Sequence, residues 1–391
     1  MSDAVELAHT RQRIEYLDIM RVVSMCGVVF WHVVSGVLLQ GYGTHAWQIA
    51  NVGTSLVTAA VPLFFMISGA VILHDSRTSS VGFVFKRRLP KIFLPFLAWS
   101  LIGIAFFSAI AWYSTRNLRL GAALSWLVHM PITPVMPHLW FMYALILFYA
   151  LAPALKTLVD NASRNLVLYM LIVWFIFASL LPTIGGLLPA DHRSLTSVGV
   201  PIQLHSAIGD VGFFVGGYYA LKLKKRISAM LLALVVVVDI AAMAVLTALQ
   251  TRHLGSYYAP AKTYDSVFAV ILTFALFFLA KELMQERQLK PNMRRVVGFF
   301  AQLSFGVYLC HLIVLTLVQK FFHFTVPMTV TRLFAFYILT LAGSVFAAWV
   351  ATRLRPLSFV LTGQKYRPWR LLRADVNQVT LRESDKIRLS K

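Results

Sequence analysis

Long apolar runs alternate with short polar connections along the whole chain. Ten runs stand out, at approximately 17–39, 54–73, 91–113, 138–158, 164–182, 206–222, 227–249, 264–283, 297–319 and 331–354. Most are roughly 18–25 residues long, the length that a hydrocarbon core of about 30 Å demands of a helix. Backbone polar groups cannot stay bare in lipid, so each run predicts a helix. The runs are continuous rather than alternating, which excludes a β-barrel. The run at 206–222 is the shortest and holds Gly209, Gly212, Gly216 and Gly217.

Composition narrows the class. Of the 391 residues, 59% are hydrophobic and 13% charged, and the mean hydropathy is +0.72. Soluble domains run at about 45–50% apolar and about 25% charged, so a soluble enzyme, a disordered chain and a fibrous repeat are excluded. The net charge is +21. In a soluble chain this would suggest nucleic acid. Here the basic residues sit between apolar runs, as they do where they orient helices in a bilayer, so membrane lipids and not nucleic acid are the expected partner. With the N-terminus inside, 28 of the 36 Lys and Arg fall in inner segments and seven in outer loops. That bias predicts an all-α polytopic protein of about ten transmembrane helices with both termini cytoplasmic. The expected organisation is a cytoplasmic N-terminal segment at 1–16, a transmembrane domain at 17–355 and a basic cytoplasmic tail at 356–391. From Gly363 onward the tail reads as surface-lying or disordered. Cys26 and Cys310 both lie inside apolar runs and indicate no disulfide framework. The first run is long enough to span and no cleavage site follows it, so no cleavable signal peptide is expected.

Polar residues inside the spans carry the chemistry. The first span holds Asp18, Arg21 and His32. Eleven residues of helix place His32 about 20° around from Arg21 and about 16 Å farther along, with Asp18 about 60° away on the same face. Ionisable groups at such depth cost several kcal/mol unless they face partners or a cavity. The plainer alternative is an arginine snorkelling to the interface and a histidine satisfied by a carbonyl. In the second span Ser68 and Gly69 permit close helix approach. Arg87, Arg88 and Lys91 follow, as a phosphate clamp or as ordinary inner-face charge. His138 and Trp140 open the fourth span, where aromatic anchors are common. Ser304, Tyr308 and His311 share one face of the ninth, with His311 near the depth of His32. Asp239, midway along the seventh span, and Asp210, nearer the outer end of the sixth, offer partners for Arg21 or a histidine, or a proton relay. Cys310 adjoins His311, but neighbours on a helix point about 100° apart, which argues against a Cys–His pair. No zinc spacing, P-loop, G-x-S-x-G elbow or Rossmann fingerprint is present, so no metal site is expected.

Five elements in order carry a resemblance: LDIMR with His32 ten residues beyond its arginine, PLFFMISG at Pro62 to Gly69, RLPKIFLP at Arg88 to Pro95, HLWF at His138 to Phe141 and SFGVYLCH at Ser304 to His311. Together they resemble the acyltransferase-3 family of bacterial membrane O-acyltransferases, over roughly residues 15–355. HLWF followed by YALAPAL looks most like the branch containing the O-acetyltransferase of enterobacterial common antigen. The resemblance implies transfer of acetyl from cytoplasmic acetyl-CoA to a glycan hydroxyl, by a multi-pass protein of the bacterial inner membrane. Acetyl-CoA is then a substrate, with no tightly bound cofactor. The family's acceptors include lipopolysaccharide, exopolysaccharide, lipid-linked oligosaccharide and peptidoglycan. Lys91 stands where an arginine is usual, which weakens bidentate phosphate recognition there. No SGNH-type hydrolase domain accompanies the helices, so the chain completes transfer itself or hands acetyl to an acceptor-side partner protein. A homo-oligomer stays open. In this reading Arg87, Arg88 and Lys91 hold donor phosphates and Arg21 the donor arm. His32 acts as general base or acyl carrier, and Tyr308 or His311 orients it. A secondary transporter or a polysaccharide export component would also carry intramembrane Arg and His.

Overall fold

The computed structural model describes residues 14–116, 120–188, 202–284 and 287–366, with backbone only at 202–208. Among them every regular element is helical. The chain is an all-α polytopic membrane protein. Nine helical stretches among the described residues are long and apolar enough to cross a membrane.

Helix α1 (Glu15–Gln40) is the first span. The second stretch is two helices, α2 (His45–Val57) and α3 (Ala60–Ile72). It starts well before the predicted 54. Its early polar residues Asn51 and Thr54 are buried, at 4% and 0% exposure, and satisfied inside the protein, so local hydropathy understates the helix. A π-helical turn (Val84–Arg88) leads into α4 (Pro90–Thr115). Next come α5 (Leu120–His129), α6 (Trp140–Asn161), α7 (Arg164–Phe175) and α8 (Leu181–Leu187). Helix α9 (Ile202–Lys222) occupies the short glycine-rich run. Then follow α10 (Ala229–Leu254), α11 (Val267–Met284), α12 (Pro291–Phe321), α13 (Val330–Ala351) and the short α14 (Ser358–Thr362). Side chains of Thr44, Ser163, Ser228 and Thr329 accept from backbone N–H groups in the first turns of α2, α7, α10 and α13. Proline starts α4 and α12, where a missing N–H costs nothing.

Helix α1 is central: it packs on α2, α3, α11, α12 and α13, so its polar stripe faces protein. The closest crossing is between α3 and α9. A Cβ on Gly69 would lie 1.7 Å from the Phe214 carbonyl oxygen, and one on Gly217 would lie 2.0 Å from the Met66 oxygen. Phe65 joins this crossing to α6 through Phe141 (4.6 Å between ring centroids) and Phe148 (5.3 Å). Helix α10 shows lipid its Met230, Leu234, Val237 and Val238, and turns Asp239 inward at 6% exposure.

At one end of the bundle α14 lies on α4, where Trp99 Nε1 donates to the Leu361 carbonyl over 2.9 Å. The start of the predicted tail is therefore packed. Its remainder, 367–391, and residues 1–13 lie outside the described residues. This end also carries the basic connections, which gives a direct check of orientation. Reporter fusions at residues 85, 225 and 290 are expected to read cytoplasm and one at 120 the opposite side. A cytoplasmic signal at 120 would invert or break the proposed topology.

Candidate active site

On α1 the Arg21 guanidinium reaches the buried Asp18 carboxylate at 3.4 Å. Three turns farther, His32 meets two other histidines. Helix α12 supplies His311, and the 3-10 turn Pro137–Leu139 ahead of α6 supplies His138. Ring centroids lie 5.1 Å apart for His32–His311, 6.1 Å for His32–His138 and 4.6 Å for His138–His311. Tyr308 braces the cluster, since its hydroxyl donates to the His138 carbonyl.

The hydrogen bonding sorts these rings by role. His311 Nδ1 lies 2.6 Å from the Tyr308 carbonyl. A carbonyl only accepts, so Nδ1 carries the hydrogen, and in the neutral ring Nε2 is left as a lone pair. That Nε2 is buried with no hydrogen-bond partner. His311 and His138 are 0% and 3% exposed, whereas His32 is only half-buried. His32 is thus the only one of the three that keeps some exposed surface. The His32 ring lies 5.1 Å from the His311 ring, centroid to centroid, with no hydrogen bond between them. Cys310 turns away, with Sγ 3.5 Å from the Ser344 carbonyl on α13.

A cavity of about 580 Å³, not lined by the histidines themselves, includes Trp31, Trp140, Asp210, Lys262, Tyr264 and Asp265 in its walls. Trp140 stacks on Tyr264, with centroids 5.4 Å apart and planes 26° apart. Trp140 therefore faces a ring inside the protein, beyond the interfacial role expected of it. Of these residues, Trp31, Lys262, Tyr264 and Asp265 escaped the sequence reading. The signals for the first and third were their positions beside His32 and in the aromatic loop before α11.

At the opposite, basic end is a recess of about 700 Å³ lined by Arg87, Arg355, Lys365 and Tyr366 among others. Arg87 joins the recess, but its expected companions do not line it. Arg88 pairs with Asp75, which also takes hydrogen bonds from Arg77 at 3.0 and 2.8 Å. The Arg77 bond above all, with the Arg88 charge beside it, holds the Asp75 carboxyl at about 2 against the opposing pull of partial burial. The carboxylate is therefore ionised across the physiological range and the latch does not titrate there. Lys91 is exposed, and its carbonyl backs the left-handed Gly363 turn, where a Cβ would lie 2.1 Å from it.

Two other candidates stay apart. Ser68 is half-buried beside Gly69 at the α3–α9 crossing. The buried Asp239 has no hydrogen-bond partner for Oδ2, on a helix packed chiefly against α11 and α2. Among the described residues no hydrogen bond or ion pair joins either to the histidines, and no set of His, Cys, Asp and Glu converges as metal ligands.

A family profile described as an acyltransferase domain matches residues 14–349, which take in all three histidines and Arg87. No curated protein and no solved structure matches the chain.

Proposed function

The chain belongs to the acyltransferase-3 family of membrane acyltransferases, and from that premise we propose that it transfers acetyl from cytoplasmic acetyl-CoA to a hydroxyl of a cell-surface or lipid-linked glycan. The observation that supports this reading is the clustering of the partly exposed His32 with the buried His311 and His138, at 5.1 and 6.1 Å between ring centroids, in a chain that also carries a cationic recess at its basic end. The HLWF and YALAPAL elements support the branch named above, and the basic connections support a bacterial inner membrane with the recess facing the cytoplasm.

Acetyl-CoA is a polyanion with a flexible arm. Arg87, Arg355 and Lys365 suit its phosphates, and the Arg355 guanidinium lies 4.5 Å from the Tyr366 ring centroid. Arg21 meets the arm partway, and His32 lies about 16 Å deeper. There the acceptor hydroxyl attacks the thioester carbonyl while His32 takes its proton. The carbon–sulfur bond then breaks, and the leaving thiolate receives that proton. A two-step variant forms acetyl on His32 first and uses the same residue.

The test is transfer itself. Vesicles carrying the protein and a glycan acceptor, fed acetyl-CoA labelled in the acetyl group, should place base-labile label on glycan. Its absence under saturating donor would sink the proposal. The donor recess makes a narrower prediction. Charged hydrogen bonds are worth about 1.5–3 kcal/mol each, so Arg87→Gln with Arg355→Gln should raise the KM for acetyl-CoA by roughly tenfold or more. S-acetylpantetheine lacks the nucleotide phosphates and should lose far less. An equal loss with both donors would mean that the recess serves folding.

A further inference from the structure

We propose that a separate cavity at the basic end binds the phosphate of an anionic phospholipid, which braces the start of α1. The cavity, about 440 Å³, lies where α1 and α12 begin and α9 and α11 stop. It shares no lining residue with the Arg87 recess or the aromatic cavity. Its size falls within the roughly 300–1,000 Å³ typical of small-molecule sites. The charges around it favour an anion. The acids in its wall are already met: Glu15 accepts from Arg294 and, at 2.6 Å, from the Leu289 N–H, and Asp18 lies 3.4 Å from Arg21. Two cations in the wall, Lys281 and Arg287, make no ion pair among the described residues. The buried Lys281 ammonium gives its three protons to the carbonyls of Ala220 (2.8 Å), Leu221 (3.0 Å) and Leu223 (2.6 Å). Those acceptors are neutral, so the positive charge stands. Arg287, on the connection before α12, presents a guanidinium fork that suits phosphate oxygens. The first turns of α1 and α12 add the positive ends of helices 26 and 31 residues long, and among the described residues no side chain caps either.

Placement selects a lipid over a soluble anion. Met284, Arg294 and Val297 line the cavity, and the residue before each, Leu283, Met293 and Val296, is an exposed apolar side chain. The cavity therefore adjoins the lipid-facing surface of α11 and α12 at the depth where these helices end. A headgroup phosphate seated on Arg287 leaves its acyl chains on that apolar surface. Inorganic phosphate or a nucleotide offers the same oxygens but nothing to cover it. Lys281 and Arg287 repel the quaternary ammonium of a choline lipid, and they favour a headgroup whose phosphate is its only charge. The site also bridges elements: Glu15 and Asp18 belong to α1, Lys281 to α11 and Arg294 to α12. An occupant thus clamps α1 to α12, the helices that carry His32 and His311.

The experiment is native mass spectrometry of the delipidated full chain in detergent, titrated with phosphatidylglycerol, phosphatidylcholine, inorganic phosphate or acetyl-CoA. A saturable phosphatidylglycerol adduct is expected, with phosphatidylcholine weaker by about tenfold. Charged hydrogen bonds are worth about 1.5–3 kcal/mol each, so Arg287→Glu should weaken the phosphatidylglycerol adduct by roughly tenfold or more. Arg287 is exposed, so the variant should fold, and Arg287→Gln gives a gentler second reading in the same direction. Lys86→Glu reverses an exposed charge at the same end, on the π-helical turn before α4 and outside the cavity lining, and should bind as the parent does. Thermal melting of the same samples reads the brace: phosphatidylglycerol should raise the Tm of the parent and of Lys86→Glu, and not that of Arg287→Glu. Equal affinity for the two lipids, parent-like binding by Arg287→Glu, or an equal loss in Lys86→Glu would overturn the site, the last by showing only diffuse inner-face charge. Arg287-dependent binding of inorganic phosphate or acetyl-CoA without a lipid adduct would give the cavity to a soluble anion and overturn the lipid.

Discussion

Replacing His32 with Gln is expected to leave the protein inserted and abundant but to lower the proposed acetyl transfer by about 10²–10⁴-fold, the usual effect of losing a general base. Glutamine keeps the size and polarity of the side chain and cannot take the proton, so the loss isolates proton transfer from packing. His311→Gln is expected to retain a measurable fraction of activity. In the proposed mechanism His311 has a supporting role only, since its Nδ1 is occupied by the Tyr308 carbonyl and the ring has no exposed surface. Tyr308→Phe removes only the brace on the His138 carbonyl and should be milder still. Arg21→Lys should be less damaging than Arg21→Ala if charge, more than the guanidinium fork, holds the donor arm. Initial rates at saturating donor decide the assignment. Near-normal turnover in His32→Gln together with an inactive His311→Gln would place the base on α12 instead.

The second large effect is on folding. Gly69→Val and Gly217→Val should each prevent accumulation of folded protein. At both positions the added Cβ meets backbone on the crossing helix, at 1.7 Å from the Phe214 oxygen and 2.0 Å from the Met66 oxygen. A flexible side chain could swing aside; a helix backbone cannot. Overpacking of adaptable cores already costs about 1–3 kcal/mol, a large part of the 5–15 kcal/mol that typically holds a domain together. Gly121→Val is the control, because nothing lies within 4 Å of a Cβ there. Size-exclusion traces of tagged protein after graded heating give the comparison. Parent-like thermal stability in Gly217→Val would show that α3 and α9 do not cross as closely as described.

Much of this architecture was legible in the residues because a bilayer imposes a length and a polarity on every span. The exceptions share a cause. The early half of α2 reads as polar because Asn51 and Thr54 serve an internal partner, Lys262, that lies 211 and 208 residues away. The candidate site was legible where one helix carries several of its members. Asp18, Arg21 and His32 follow from the period of α1, and Tyr308 and His311 from that of α12. His138 was in view, but as an interfacial residue, since its meeting with the other two rings is a product of three separate segments. The basic motif divides in the same way. Arg88 is engaged by Asp75 thirteen residues earlier, while the cations that accompany Arg87 in its recess come from beyond the last span. Short-range periodicity reports which face a residue occupies; it is silent on which distant face meets it.

The single continuous helix between Arg21 and His32 has a consequence for the kinds of change this chain tolerates. Their separation is set by eleven residues of regular backbone, with no loop to absorb an error. One inserted or deleted residue between them would turn His32 by about 100° and shift it by about 1.5 Å, out of the partnership with His311. Substitutions along the lipid-facing side of α1 leave that spacing intact. The segment is therefore open to drift in spelling and closed to drift in length, so natural variation within it should take the form of replacements without gaps.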